Sequence, residues 1–255
     1  MNNKNYNFRL AKEFVISVEE GLNVIFHERS NQIYYKLDNI LKIFKEEKVS
    51  TSHFNQTTGS GHDDLSRQKI DEVFAKFFLA EKSAVRMQFV SGTHAISSVL
   101  FGILRPGDLM LSVTGTPYDT LEEVIGIRGK GKGSLIDLGV EYRQISIDEK
   151  INSYEDKIVD FFKKNKCKLV FIQKSCGYSW RKSLNNNQIK QICNLVHSLN
   201  PKCICFVDNC YGELVEDSEP IINGANIIAG SLIKNLGGTI AVSYTHLTLP
   251  TIDPV

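Results

Sequence analysis

Two residues set the chemistry this sequence can do. Asp208 closes an apolar run, Ile204, Cys205, Phe206 and Val207, and Lys234 lies three residues past a second run, 225–231. Short apolar runs closed by polar and Gly residues read as buried strands of an α/β sheet. Ligands of such sheets sit beyond the carboxyl ends of the strands. A carboxylate leaving one strand and an amine leaving a later one then face a common crevice. That pairing suits pyridoxal phosphate: the amine links to the cofactor aldehyde, and the acid partners the pyridinium nitrogen.

The motifs around these residues carry a family resemblance. VDNCYGELVE (207–216) followed by GSLIKNLGG (230–238) resembles the fold-type-I pyridoxal phosphate enzymes. It is more closely similar to their cysteine and methionine metabolism branch, in the group called the methionine gamma-lyase family or aluminium resistance proteins. TTGSGHDD (57–64), VSGTHA (90–95) and SCGYSWRKSL (175–184) agree in order, so the resemblance covers about residues 30–241.

The resemblance implies a three-layer α/β/α fold with a mostly parallel sheet. It implies a helical segment at 1–50 and an incomplete cofactor-binding large domain at 51–241. Relatives continue into a C-terminal small domain, and 242–255 departs from their pattern, so this stretch is expected to be a foreign tail on a shortened chain. A short edge strand is the alternative there, since 244–249 alternates in polarity.

Roles follow residue by residue from the same resemblance. Lys234 bears the cofactor and acts as general base, Asp208 holds the ring nitrogen protonated, and Ser231 binds the phosphate. Tyr118, in TGTPYDT (114–120), stacks on the ring. Ser175, Tyr178 and Arg181 contact the ring hydroxyl or the substrate carboxylate. Arginine suits a carboxylate because its fork makes two parallel bonds. The implied activity is a lyase that eliminates a C–S bond, β or γ, from a sulfur amino acid and leaves a 2-oxo acid and ammonia. Another pyridoxal phosphate reaction class, an aminotransferase or decarboxylase, uses the same scaffold. A fragment without catalysis is the third reading. Relatives build the site at a subunit interface, so a homodimer or homotetramer is expected, with the 50–63 loop reaching the neighbour's cofactor.

Several of these residues have a plainer reading on pattern alone. Ser91–Gly92–Thr93–His94 turns from a strand into a helix, which is an ordinary N-cap. It is equally an anion site, because free N–H groups and the helix dipole favour phosphate. The resemblance selects phosphate binding by Gly92 and Thr93 and leaves His94 open between ring contact and cap. His62 stands where relatives often carry tyrosine, and Arg67 is a further cation nearby.

The elements that must position these groups are read from periodicity. A short helix is expected within 1–26 and a second over 27–48. A third spans 65–80 with Leu65, Val73, Phe74, Phe77 and Phe78 as its stripe. Strands are expected at 84–90, 109–113, 140–147 and 169–173, and helices at 95–104, 153–164 and 186–199. IRGKGKGS (127–134) lacks the spacing of a phosphate loop and reads as an exposed loop.

Composition excludes other classes. With 42% hydrophobic and 23% charged residues, the 255-residue chain is ordinary for a globular protein. A net charge of +1 argues against nucleic acid or an acidic membrane. No apolar run approaches the roughly 20 residues that cross a bilayer, and 1–14 lacks the apolar core of a secretory signal. The six cysteines show no second ligand pair at metal spacing. They are expected to be buried, reduced thiols, which fits an expected cytoplasmic location.

Overall fold

The computed structural model describes residues 3–55, 57, 64–129, 131–147, 152–237 and 244–246. The chain forms two compact units, 1–46 and 47–255. The first is one helix, α1 (Asn3–Glu46). The two separate helices expected over 1–48 are therefore one. No proline interrupts this stretch, and its single glycine, Gly21, lies at mid-helix with open space around it. One glycine costs about 1 kcal/mol in a helix but does not end it.

The second unit is a sheet between two helical layers. Strands β1 (Leu109–Ser112), β2 (Glu141–Gln144), β3 (Leu169–Gln173), β4 (Ile204–Asp208), β5 (Ile227–Gly230) and β6 (Tyr244–His246) run in the order β2-β1-β3-β4-β5-β6. All neighbouring pairs are parallel except β5 and β6. The remainder of 242–255 lies outside the described residues.

Alternation along the strands explains the layers. In β3, Leu169 and Phe171 face one core, while Val170 and Ile172 face the other. The first core is filled by Ile96, Val99 and Leu100 of α3 (Gly92–Ile103) and by Leu121 and Ile125 of α4 (Asp119–Ile125). The second takes Tyr154 and Ile158 of α5 (Asn152–Lys164) and Ile189, Ile192, Cys193 and Val196 of α6 (Asn186–Leu199). Strands buried on both faces read as continuous apolar runs because no side can be polar. Phe171 and Phe206 meet edge to face with centroids 5.5 Å apart, worth about 0.5–1.5 kcal/mol beyond area burial. This is the three-layer α/β architecture.

Two expectations change. Residues 84–90 form no strand: Val85 N–H and the Arg86 guanidinium both bond to Asp71 of α2 (Leu65–Phe77), so side-chain anchoring to a helix replaces a ladder. The helix expected over 65–80 ends at Phe77, with Leu65 exposed and Phe78 fully buried just past the helix. All six cysteines are free, and all but the half-buried Cys176 are buried.

Candidate active site

Sheet register places Asp208. Lys174 N–H donates to its carbonyl at 3.1 Å, and the next residue, Asn209, donates to Ala229 O at 2.8 Å. The end of β4 is thus held by the strands on both sides. Its side chain is 2% exposed, and Oδ1 accepts from Cys210 N–H at 3.0 Å. Burial pushes the Asp208 carboxyl above its ordinary range; the Cys210 donors and the charge of Lys234 oppose this without cancelling it.

Lys234 follows β5 in a turn closed by its own N–H on Ser231 O at 3.2 Å. Its Nζ stands 4.0 Å from the centroid of the Tyr211 ring, a cation–π contact. Partial burial would lower its pKa, but Cys210, Asp208 and Tyr211 outweigh that and raise it. Ser231 itself is buried.

The third wall comes from the other half of the sheet. Tyr118 caps α4 past the carboxyl end of β1, its N–H on Gln173 Oε1 at 3.0 Å and its hydroxyl donating to Thr93 Oγ1 at 3.1 Å. Burial first, and the Asp208 charge second, hold its hydroxyl neutral well above the usual range. Gly92 begins α3 so close to the β4 and β5 loops that an added Cβ would lie 3.5 Å from both Cys210 Sγ and Ser231 Cβ. Ser91 caps that helix, its Oγ accepting from His94 N–H at 3.0 Å.

Tyr118, Asp208 and Lys234 line one crevice of about 490 Å³, with Ser175, Tyr178, Cys210 and Tyr211 among the other walls. That is the range of small-molecule sites. Gly92, Thr93 and Ser231 adjoin it through the contacts above. An acid, an amine and an aromatic ring therefore meet beyond the carboxyl ends of parallel strands.

The sequence profile of the methionine gamma-lyase family matches residues 11–248. The chain belongs to that family. It is 42% identical over 240 residues to the uncharacterized protein YnbB of Bacillus subtilis, covering 93% of this chain and 56% of that one. The solved structure of a "putative cystathionine beta-lyase involved in aluminum resistance" from Listeria monocytogenes superposes with a TM-score of 0.87 at 42% identity. It covers 94% of this chain and 61% of its own. A Clostridium novyi carbon-sulfur lyase involved in aluminum resistance gives 0.83 at 37% identity, covering 98% of this chain and 61% of its own. This methionine gamma-lyase family chain thus spans less than two thirds of the length of these relatives.

Not every residue expected at the site is there. Arg181 points its guanidinium into its own loop. Nη2 donates to Gln173 O at 2.8 Å and to Ser175 O, and Nη1 to Lys182 O at 3.0 Å. The fork expected to take a substrate carboxylate is instead spent on backbone carbonyls of its own loop. His94 also lies apart: Nδ1 accepts from Val90 N–H at 3.3 Å and the ring meets Phe89 edge-on. Tyr178 lines the crevice but is 89% exposed. Arg67 pairs with Asp64 at 3.5 Å, and His62 lies outside the described residues. The segment after Asp208 brings groups that pattern reading left unassigned: Cys210, Tyr211 and Glu213. Tyr211 and Leu214 have φ of 66° and 62°, conformations that bulky residues rarely hold and that periodicity does not reveal.

Proposed function

We propose that this chain binds pyridoxal 5'-phosphate and belongs to a lyase that breaks a C–S bond of a sulfur-containing amino acid. The observation that carries this is the meeting of buried Asp208 with Lys234 in one crevice beneath Tyr118. The residues fit the cofactor. An acid left unstable by burial is suited to a protonated ring nitrogen. The start of α3 at Gly92 and Thr93, beside Ser231, offers N–H groups and a hydroxyl to a phosphate. The names of the Listeria and Clostridium relatives support a carbon-sulfur lyase.

When bound, the cofactor supplies an electron sink that makes the substrate Cα–H acidic. Lys234 Nζ would hold the cofactor through its aldehyde and, once the substrate amine has taken its place there, would be free to move the Cα proton. Asp208, almost fully buried, would keep the ring nitrogen protonated. Tyr118, pinned through its N–H and hydroxyl, gives a flat wall that orients the ring. The working form is a homodimer or homotetramer, a reading supported by the family resemblance and checked by light scattering on purified protein.

The test is to add pyridoxal phosphate, reduce with borohydride and map the labelled peptide. A label on Lys234 supports the reading; a label elsewhere, or none, overturns it. Product analysis with methionine, cystathionine and cysteine then assigns the reaction. A released thiol with 2-oxo acid and ammonia marks the lyase. Amino transfer without thiol marks an aminotransferase, and carbon dioxide a decarboxylase.

A further inference from the structure

Glu213 is a buried carboxyl for which the chemistry above has no use. It is 1% exposed, and Oε2 is a buried oxygen with no hydrogen-bond partner. An orphaned buried acceptor is costly, so the residue must be held there by something else. Its other contacts show what. Oε1 accepts from Ser231 N–H at 3.2 Å, and its backbone carbonyl accepts from Asn235 Nδ2 at 3.0 Å. Ser231 and Asn235 bracket Lys234. Two residues before Glu213, Tyr211 sets its ring under Lys234 Nζ. Residues 211 and 214 take left-handed backbone to make this possible.

We propose that Glu213 is a positioning residue: it clamps both ends of the turn that carries Lys234 and so sets where the amine stands. This rests on Lys234 being the reactive amine proposed above. The groups facing the carboxyl add a second property. Asp208 and Cys210 approach from the end of β4, Glu219 from the turn before β5, and Ser231 from the lysine turn. Burial, with the like charges of Asp208 and Glu219, pushes the Glu213 carboxyl up to about 7 despite the N–H donors that favour its charge. The clamp is thus a neutral acid below that pH and a buried charge above it.

The test uses the full chain and reads Lys234 directly by trace acylation and peptide mapping without cofactor, across pH. Cofactor fixation by borohydride is measured in parallel. Glu213→Ala is expected to free the Ser231 end of the turn, while the backbone carbonyl still holds Asn235. Lys234 then acylates about three- to tenfold faster at neutral pH, the effect of one lost hydrogen bond, while fixation falls by a similar factor. Glu213→Gln keeps an acceptor for Ser231 N–H and is expected to restore both rates but to abolish the inflection near pH 7. A folded Glu213→Ala chain with wild-type acylation and fixation overturns the proposal. If the alanine variant does not fold, the glutamine variant decides: a retained inflection near pH 7 overturns the proposal, and its loss supports it. If wild type fixes no cofactor on Lys234 while acylation still responds to Glu213→Ala, the cofactor reading fails and the clamp stands.

Discussion

The segments leaving β3 and β4 flank the same crevice from adjacent strands, yet they are built in opposite ways. After β4, residues 209–219 are tied down, both from within and by Lys174 just past the end of β3. Asn209 Nδ2 donates to Glu219 Oε2 at 2.9 Å, and Leu214 N–H to Glu219 Oε1 at 2.9 Å. Lys174, itself buried, pairs with Glu216 at 2.9 Å and donates to Asn186 Oδ1 at 2.8 Å. After β3, the loop through 183 leaves Tyr178 89% and Trp180 104% exposed and spends Arg181 on its own carbonyls. One wall is fixed before anything binds; the other is a rim whose aromatics stand exposed. Fixed walls suit groups whose position sets reactivity, while an open rim suits recognition of what enters.

The largest expected effect falls on the fixed wall. Lys234→Ala should abolish cofactor fixation and cut any C–S lyase turnover by about 10³-fold or more, as removal of both link and proton carrier requires. Asp208→Asn should come next. The variant is expected to retain cofactor, because an amide fills the same volume, but to lose about 10²–10³-fold in kcat, because it does not hold a ring nitrogen protonated. Near-normal kcat with tight binding would remove Asp208 from the chemistry. The rim predicts the reverse: a change at Tyr178 should move KM more than kcat, read from the same assay.

How far the sequence revealed this contrast depends on what each feature rests on. β3, β4 and α6 are legible because apolar periodicity and burial are the same fact seen twice: 169–173, 186–199 and the Asp208 terminus sit where the pattern puts them. Asp208 and Lys234 were legible as types following strands, and Tyr118 only through the family resemblance. Arg181 was not, because the carbonyls of Gln173 and Ser175 that capture it come together only once the turn exists. Glu213 was hidden for the same reason: its partners are a backbone N–H 18 residues later and an amide at 235. Residues 84–90 misled because an apolar run anchored by Asp71 looks like one anchored by a ladder.

Stability separates the two walls as well. A Cβ at Gly212 would lie 2.6 Å from both Asn209 Oδ1 and Lys174 Cδ. Lys174 cannot retreat cheaply, since it is held by Glu216 and Asn186, and Asn209 is held through its Nδ2 by Glu219. Gly212→Ala should therefore cost about 2–3 kcal/mol in chemical denaturation, the scale of overpacking a tight core. An unchanged midpoint would show the 209–219 network to be looser than its contacts imply.

An effect of similar size is expected from pH. Glu213 has its carboxyl raised from 4.5 to about 7 in the fold. The folded chain then binds more protons than the unfolded one between those values, so stability is present at the acid end and declines as pH rises through about 7. The loss should be about 3 kcal/mol. Glu213→Gln should flatten this part of the profile, and Asp208, raised in the same direction, adds a slope that the variant retains.

The smallest expected effect lies at Trp180, and it is the sharpest check on the contrast because a tryptophan usually matters. Aromatic rings carry large apolar area, so a packed one costs about 3–5 kcal/mol when cut to alanine. This one is wholly exposed and has no area to lose. Trp180→Ala should therefore shift the denaturation midpoint by less than about 0.5 kcal/mol and leave cofactor fixation on Lys234 unchanged. A loss above about 1 kcal/mol in the purified chain would mean that the rim is packed in solution, by a second copy or by its own loop. The difference between the two walls would then belong to the isolated chain and not to the working protein. Repeating the measurement at several protein concentrations separates those cases, because only a loss that comes from a partner changes with concentration.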